Sequence, residues 1–291
     1  MSMAEPLRAR MNALGKGLIK AAKEFSEDDM PTYAAALSYQ VFFSLFPFLI
    51  FFVALLGALN IPGFFDSLLD QARVVLPEQA IEIVEQALEQ IRSQAQTFLS
   101  LAIVVALWSA SAAVRMTMHA LNVAYDVEEE RPAWKRYPLS IFYTILLAVL
   151  IIVAVGLMLI GPQIAQWLAQ QIGLGSAFVT LWQWGRIPAA LLLLTAVMAL
   201  VYYLCPNTGQ PFRFITLGAV LAVIVWVVAS FGFSFYLENF ASYSATYGSL
   251  GAVIVLLVHL YISASVLLFG AEVNEQIYHQ FAEGQNGDEE Q

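Results

Sequence analysis

Arg115 and His119 stand four residues apart inside an apolar stretch, so on a helix they share one face. A guanidinium and an imidazole one turn apart can hold a phosphate or a partner carboxylate. An arginine near the end of a membrane span can equally snorkel to the headgroups. Asn122, three residues beyond His119, extends the same face. His259 lies near the middle of another apolar block, with Ser263 one turn further on. A neutral imidazole there can hydrogen-bond a neighbouring helix. A proton relay would want a carboxylate at the same depth, and every Asp and Glu lies outside the apolar blocks or at their ends. Transport coupled to buried acids is therefore disfavoured.

The enzyme readings fail on geometry. Ser249 and His259 are ten residues apart, about 15 Å of helical rise, against the ~3 Å that proton transfer needs. Three scattered histidines and one cysteine, Cys205, supply no metal-ligand set. No glycine-rich phosphate loop of the P-loop kind occurs. No catalytic residue, metal or cofactor is expected.

Other polar positions suggest contact and movement rather than chemistry. The run from Asn239 to Ser249, with Ser242, Tyr243 and Tyr247, is rich in hydroxyls and has no charge. Uncharged hydrogen-bonding groups at a membrane face suit a lipid headgroup or a re-entrant turn; a capped interfacial turn is the plainer alternative. Gly248 and Gly251 would let helices approach closely, and they join His259 and Glu272 as candidate helix-packing positions. Tyr39, Gln40 and Ser44 precede Pro47 in the first apolar block. A mid-helix proline removes a backbone bond and bends the helix, and Ser44 is placed to satisfy a freed carbonyl. That bend is either a groove or hinge, or fixed packing geometry.

The elements that must carry these residues follow from composition. The 291 residues are 60% hydrophobic and 12% charged, against about 25% charged in soluble domains, and the mean hydropathy is +0.71. Six stretches are long enough to cross ~30 Å of hydrocarbon: Ala34–Asn60, Phe98–Val123, Leu139–Ile160, Ile187–Leu204, Phe214–Tyr236 and Leu250–Phe269. Continuous apolar runs favour helices over barrel strands, whose signal has period two. The expected fold is all-α and polytopic, with an N-terminal segment over 1–33, a six-helix domain over 34–272 and an acidic tail over 273–291. Pro188 falls near the start of the fourth span, where a first-turn proline is tolerated. Outside Arg115, nine Lys and Arg flank the spans on the side of both termini and three on the other. That bias puts both ends in the cytoplasm.

Between the first two spans, Ile81, Val84, Leu88, Ile91, Ala95 and Phe98 step by threes and fours, with Glu78, Glu82, Glu85 and Glu89 opposite them. The pattern predicts amphipathic helices in an external, acidic lid over about 61–97. It is read either as a packed structural lid or as a surface that recruits a periplasmic partner. Trp167, Trp182 and Trp184 of the second external loop suit the headgroup level. Leu7, Met11, Leu14, Leu18 and Phe25, with lysines between them, predict a helix that lies on the inner leaflet or in cytoplasmic solvent. The polar tail after Gly284 is expected to be disordered. A formal charge of −9 and a pI of about 4.8 argue against a nucleic-acid partner. A lone cysteine rules out a disulfide-stapled module.

Several segments in order resemble one family, the YihY/BrkB inner-membrane proteins of bacteria, once labelled ribonuclease BN. They are Asp29-Met30, Leu37-Ser-Tyr39, Ser44-Leu-Phe-Pro47, Ala120-Leu-Asn122, Arg131-Pro132, Cys205-Pro-Asn207, Ser242 through Gly251, and Leu267-Leu-Phe-Gly-Ala-Glu272. The resemblance covers roughly Asp29 to Glu275. His259 departs from it, since members often carry an aromatic residue there. The resemblance implies six spans in the inner membrane, cytoplasmic termini, and a role in envelope integrity or the movement of lipid or lipopolysaccharide precursors. The ribonuclease label fits poorly with a chain lacking a basic groove and a metal site. Membrane lipids are thus the expected partners, with Arg115, His119, Asn122 and the hydroxyl turn as headgroup contacts.

Overall fold

The computed structural model describes residues 4–58, 95–159, 176–208, 216–240 and 249–289. Among them helices are the only regular secondary structure: α1 Ala4–Glu27, α2 Met30–Ala58, α3 Ala95–Ala124, α4 Ala133–Leu159, α5 Ser176–Leu204, α6 Leu217–Phe240 and α7 Ser249–Glu289. Six of them contain segments of 22 to 28 residues apolar enough to cross a membrane, from Met30–Phe51 in α2 to Leu250–Ile277 in α7. Large apolar side chains stand exposed along these segments, among them Phe48, Trp108, Ile152, Leu192, Phe231 and Val258. In water such faces would demand a partner; in lipid they already have one.

Helix ends follow local chemistry. α1 and α2 are separated only by Asp28 and Asp29. Asp29 sits in the left-handed region at φ 54°, which ends α1. It then opens α2 by accepting hydrogen bonds from the Thr32 amide (3.0 Å) and the Thr32 hydroxyl (2.9 Å). Asp126 closes α3 in the same way, at φ 50°. The Asp126 amide donates to the Val123 carbonyl and the Val127 amide to that of Asn122, the pairing of a Schellman turn. Aspartate replaces the usual glycine there because its short polar side chain tolerates this backbone. Thr216 caps α6 by accepting from the Ala219 amide (3.2 Å).

Two boundaries differ from expectation. α5 begins at Ser176, so Pro188 is an interior residue rather than a first-turn one, and Trp182 and Trp184 belong to the helix instead of a loop. The apolar periodicity at Phe178, Leu181 and Ile187 outweighs the single backbone bond that Pro188 removes. α7 runs on to Glu289, so the segment after Gly284 is helical where disorder is expected. Extending an established helix adds one bond per residue and needs no new nucleus.

The chain forms two compact units, one of Met1–Tyr39 with Val114–Gln291 and one of Gln40–Ala113. The larger holds a core of Met30, Leu37, Met118, Leu121, Tyr202, Cys205 and Leu268 with many alanines between them. Ala21 of α1 is fully buried, and Phe25 meets Phe269 of α7 edge-on at 6.0 Å. The lysine-bearing first helix therefore uses part of its apolar face on α7. In the smaller unit the small residues Ala102 and Ala106, one turn apart, and Ser111 are buried on α3.

Candidate functional site

The densest polar structure lies where α3 ends, α5 ends and α6 begins. The chain leaves α3 through the Schellman turn and runs to Glu129 and Arg131. The Arg131 guanidinium grips the Glu129 carboxylate through both oxygens, Nε to Oε1 at 2.7 Å and Nη2 to Oε2 at 2.8 Å. Its Nη2 also donates to the Cys205 carbonyl at 2.8 Å, one of those the end of α5 leaves unpaired. Asn122 completes the knot: its amide nitrogen donates to Glu129 Oε2 at 3.0 Å, and its oxygen accepts the Asn207 amide at 2.7 Å. Burial alone would raise the Glu129 carboxyl; hydrogen bonds from Arg131 and Asn122 and the Arg131 charge outweigh it and hold the group below its usual range. Burial pushes the Cys205 thiol up to about 12, so it remains an unreactive thiol at neutral pH.

A second polar tie lies beside the first. Asn274 of α7 accepts the Gly218 amide at 2.8 Å and donates to the Tyr125 hydroxyl. Tyr202 donates to the Leu267 carbonyl at 2.7 Å. These bonds are possible because α6 and α7 cross at two glycines. A Cβ on Gly218 would strike the Gly270 carbonyl and the Asn274 side chain, and one on Gly270 would strike the Tyr202 hydroxyl. Burial, followed by the charges of Asp126, Glu24 and Glu27, raises the Asp28 carboxyl nearby. This end is thus built to hold helix termini together.

The expected site residues are distributed unevenly around this knot. Arg115 stacks over the Tyr137 ring at 4.5 Å and donates to the Ser140 hydroxyl at 3.2 Å. His119 is exposed and meets the Tyr33 ring edge-on at 5.6 Å. Asn122, 2% exposed, is turned inward with both amide atoms engaged, so the structure places it in the helix-end knot and away from lipid. His259 lies in an aromatic slot, stacked on Phe233 at 5.7 Å and tilted against Trp226 at 6.3 Å. Trp226 Nε1 donates to the Ser263 hydroxyl (2.9 Å), which donates to the His259 carbonyl. Glu272 is 1% exposed and Gly251 is buried; Glu272 Oε1 meets no hydrogen-bond donor among the described residues.

In α2, Ser44 donates to the Val41 carbonyl at 2.7 Å, Pro47 lies inside the helix, Tyr39 is exposed and Gln40 half-buried. Ser242, Tyr243, Tyr247, Gly248, Trp167 and the lid from Ile61 to Gln94 lie outside the described residues. Sequence reasoning passed over Glu129, Asn274 and Gly218, and met Gly270 only inside the Leu267–Glu272 segment of the resemblance. Glu129 is hidden in a run of three glutamates, and nothing in the spacing says which one meets Arg131.

The comparisons with known proteins agree with this architecture. The family described as virulence factor BrkB matches residues 21–291. This chain belongs to the BrkB family. It is 37% identical over 249 residues to a protein of Bacillus subtilis named ribonuclease-like protein YfkH, covering 84% of this chain and 89% of that one. It is 28% identical over 269 residues to a UPF0761 membrane protein of Alcanivorax borkumensis, covering 92% of this chain and 62% of the relative. A UPF0761 membrane protein of Paraburkholderia xenovorans is 26% identical, with 87% of this chain and 58% of the relative covered. The chain thus spans about three-fifths of the length of these two UPF0761 relatives. No solved structure matches it. This BrkB-family chain is a multi-pass membrane protein with six candidate spans, and its knot uses the Arg131-Pro132 and Cys205-Pro-Asn207 segments that carry the family resemblance.

Proposed function

We propose that this chain moves or hands over lipid, a phospholipid or a lipopolysaccharide precursor, in the inner membrane of a bacterium, with both termini in the cytoplasm. The observation that carries this reading is the boundary between the compact units, which cuts the continuous helix α2 between Tyr39 and Gln40. That is where the polar residues leading to Pro47 begin. One part of α2 belongs to the larger compact unit; the rest carries a proline and the exposed rings of Phe43, Phe46 and Phe48. A proline-bearing helix that passes from one compact unit into the other and presents rings to lipid suits a lateral path for acyl chains. The Lys and Arg bias supports the orientation.

The chain acts on this reading as a carrier and not as a nuclease. Among the described residues no three His, Cys, Asp or Glu side chains gather into a metal-ligand set, and Cys205 is a buried thiol. The test is the purified full chain in liposomes with fluorescent phospholipids in one leaflet. Faster exchange of at least one lipid class than in protein-free liposomes supports the reading; unchanged rates for every class, with and without a proton gradient, overturn it. A phenotype that then depended on the lid carboxylates Glu78–Glu89 would favour a scaffold for a periplasmic partner. RNA cleavage by the same protein would restore the meaning of the ribonuclease-like name.

A further inference from the structure

The first turns of α4 read Ala133-Trp-Lys-Arg-Tyr137, and the Arg115 guanidinium reaches into them. It lies over the Tyr137 ring at 4.5 Å and donates to Ser140 Oγ at 3.2 Å. Ser140 is fully buried and donates to the Tyr137 carbonyl at 2.8 Å, which fixes the serine that fixes the arginine. Arg136 is close enough for its charge to act against that of Arg115. The Arg136 Nε is buried and donates to nothing among the described residues. Lys135 Nζ rests 5.1 Å from the centre of the Trp134 ring, and Trp134 is 72% exposed.

Deepening the lipid reading above, on which it rests, we propose that Arg115, Lys135 and Arg136 form a binding site for the phosphate of an anionic phospholipid. Two guanidiniums near enough for their charges to act on each other repel, and an anion between them removes that cost while accepting from the orphaned Nε. Phosphate oxygens suit guanidinium donors in number and geometry. The lipid, and not free phosphate, is the occupant because the cations head an apolar track. Phe142, Ile145, Val149 and Ile152 recur at steps of three and four along α4 and are all exposed. Lys135 falls on that stripe at the same helical spacing, and Arg136 lies between it and the Tyr137–Ser140 face that meets Arg115. An acyl chain lying along the stripe puts its phosphate among the three cations, with Trp134 at headgroup level. By the charge bias this is the cytoplasmic leaflet.

The test is an equilibrium measurement on the full chain in phosphatidylcholine bilayers, with no transport involved. Spin-labelled phosphatidylglycerol and spin-labelled phosphatidylcholine are compared by the fraction held motionally restricted at the protein. The native chain should prefer the glycerol lipid, and each cation neutralised should lower that preference by about fivefold. Lys135→Gln with Arg136→Gln lies in the first turn of α4 and keeps the test decisive if Arg115→Gln fails to fold, as judged by helicity and elution volume. Arg136→Lys should retain part of the preference. A preference unchanged in the double variant overturns the site. So does its abolition by millimolar soluble glycerol phosphate, which would make the ligand a free phosphate ester. Loss of preference in the variants beside a native chain that exchanges no lipid would leave the site standing and remove the carrier reading; exchange with unaltered preference would do the reverse.

Discussion

The helix-end knot and the unit of Gln40–Ala113 solve the same problem with opposite means. In the knot, side chains reach across long stretches of sequence: Arg131 to the Cys205 carbonyl, Asn122 to the Asn207 amide, Asn274 to Gly218. In the other unit, Ser44 and Ser111 give their hydroxyls to the carbonyl three residues back in their own helix, Val41 and Trp108. Its rings and branched chains, such as Phe46, Ile50, Leu101 and Val104, face outward. Where helix ends leave carbonyls and amides unpaired, a membrane protein needs specific partners. Mid-helix backbone is already satisfied, and lipid suffices as its surroundings. The knot should therefore be intolerant of substitution and the other unit permissive.

The sharpest test of the contrast between a tied helix junction and a mid-helix face lies within the larger unit, on α6 and α7. Gly270→Ala puts a methyl against the Tyr202 hydroxyl and the Gly218 carbonyl, where backbone cannot move aside. We expect a loss of about 3 kcal/mol or more, read as a large fall in thermal unfolding temperature in detergent. Gly232→Ala, on α6 with no atom within 4 Å of the new methyl, should be neutral or stabilise by up to about 1 kcal/mol. Equal effects at the two positions would dissolve the distinction between a tight end and a loose wall.

Next in size is the ion pair. Arg131→Ala leaves a partly buried Glu129 carboxylate, with side-chain exposure of 16%, facing an empty corner, and strips the Cys205 carbonyl of its donor. The expected cost is about 3 kcal/mol, with Arg131→Lys recovering part of it because lysine cannot reproduce the two-pronged grip. The pair also predicts a pH dependence of definite sign. The Glu129 carboxyl is held below its usual value in the folded chain. Its contribution is thus complete above the unfolded value of about 4.5 and falls away as the pH drops through the folded one. Asp28, raised by burial and by neighbouring acids, has the opposite sign: it disfavours the folded chain when ionised and ceases to on acidification. Unfolding curves of Glu129→Gln and Asp28→Asn between pH 3 and 7 should deviate from the native chain in opposite directions. Parallel curves would contradict the assignment.

The sequence exposes the wall far better than the knot. Hydropathy alone finds all six spans, because lipid selects for apolar side chains one residue at a time. Junctions need partners, and partners are distant. Asp29 and Asp126 do not announce a left-handed backbone, and Pro188 looks terminal until Ser176 proves to start its helix. Asn122 shares a face with Arg115 and His119 by spacing, yet it lies just before the Schellman turn, where Glu129 and Asn207 claim it. The arginine's neighbours on α4 are equally invisible to periodicity, which sees one helix at a time. Resemblance helped here: the segments around Arg131 and Cys205 that it singled out are those that meet in space.

The smallest expected stability effect lies around Pro47, and it separates the two readings of a proline inside α2. Ser44→Ala removes one local hydrogen bond in lipid, worth about 0.6 kcal/mol on average, and should hardly move the unfolding temperature. Pro47→Ala restores an amide donor to α2 and should hold or raise stability, since the helix regains a bond. If the bend is fixed packing geometry, straightening α2 would disturb its neighbours and lower the unfolding temperature along with any lipid exchange. If it is a hinge, the two readouts part: the Pro47→Ala chain unfolds no earlier than the native one, yet exchanges labelled lipid more slowly because α2 has lost its bend. Equal exchange in an equally stable variant would strip Pro47 of any role in lipid movement. The hinge would then have to be sought in α3, the other helix that the unit boundary cuts, between Ala113 and Val114.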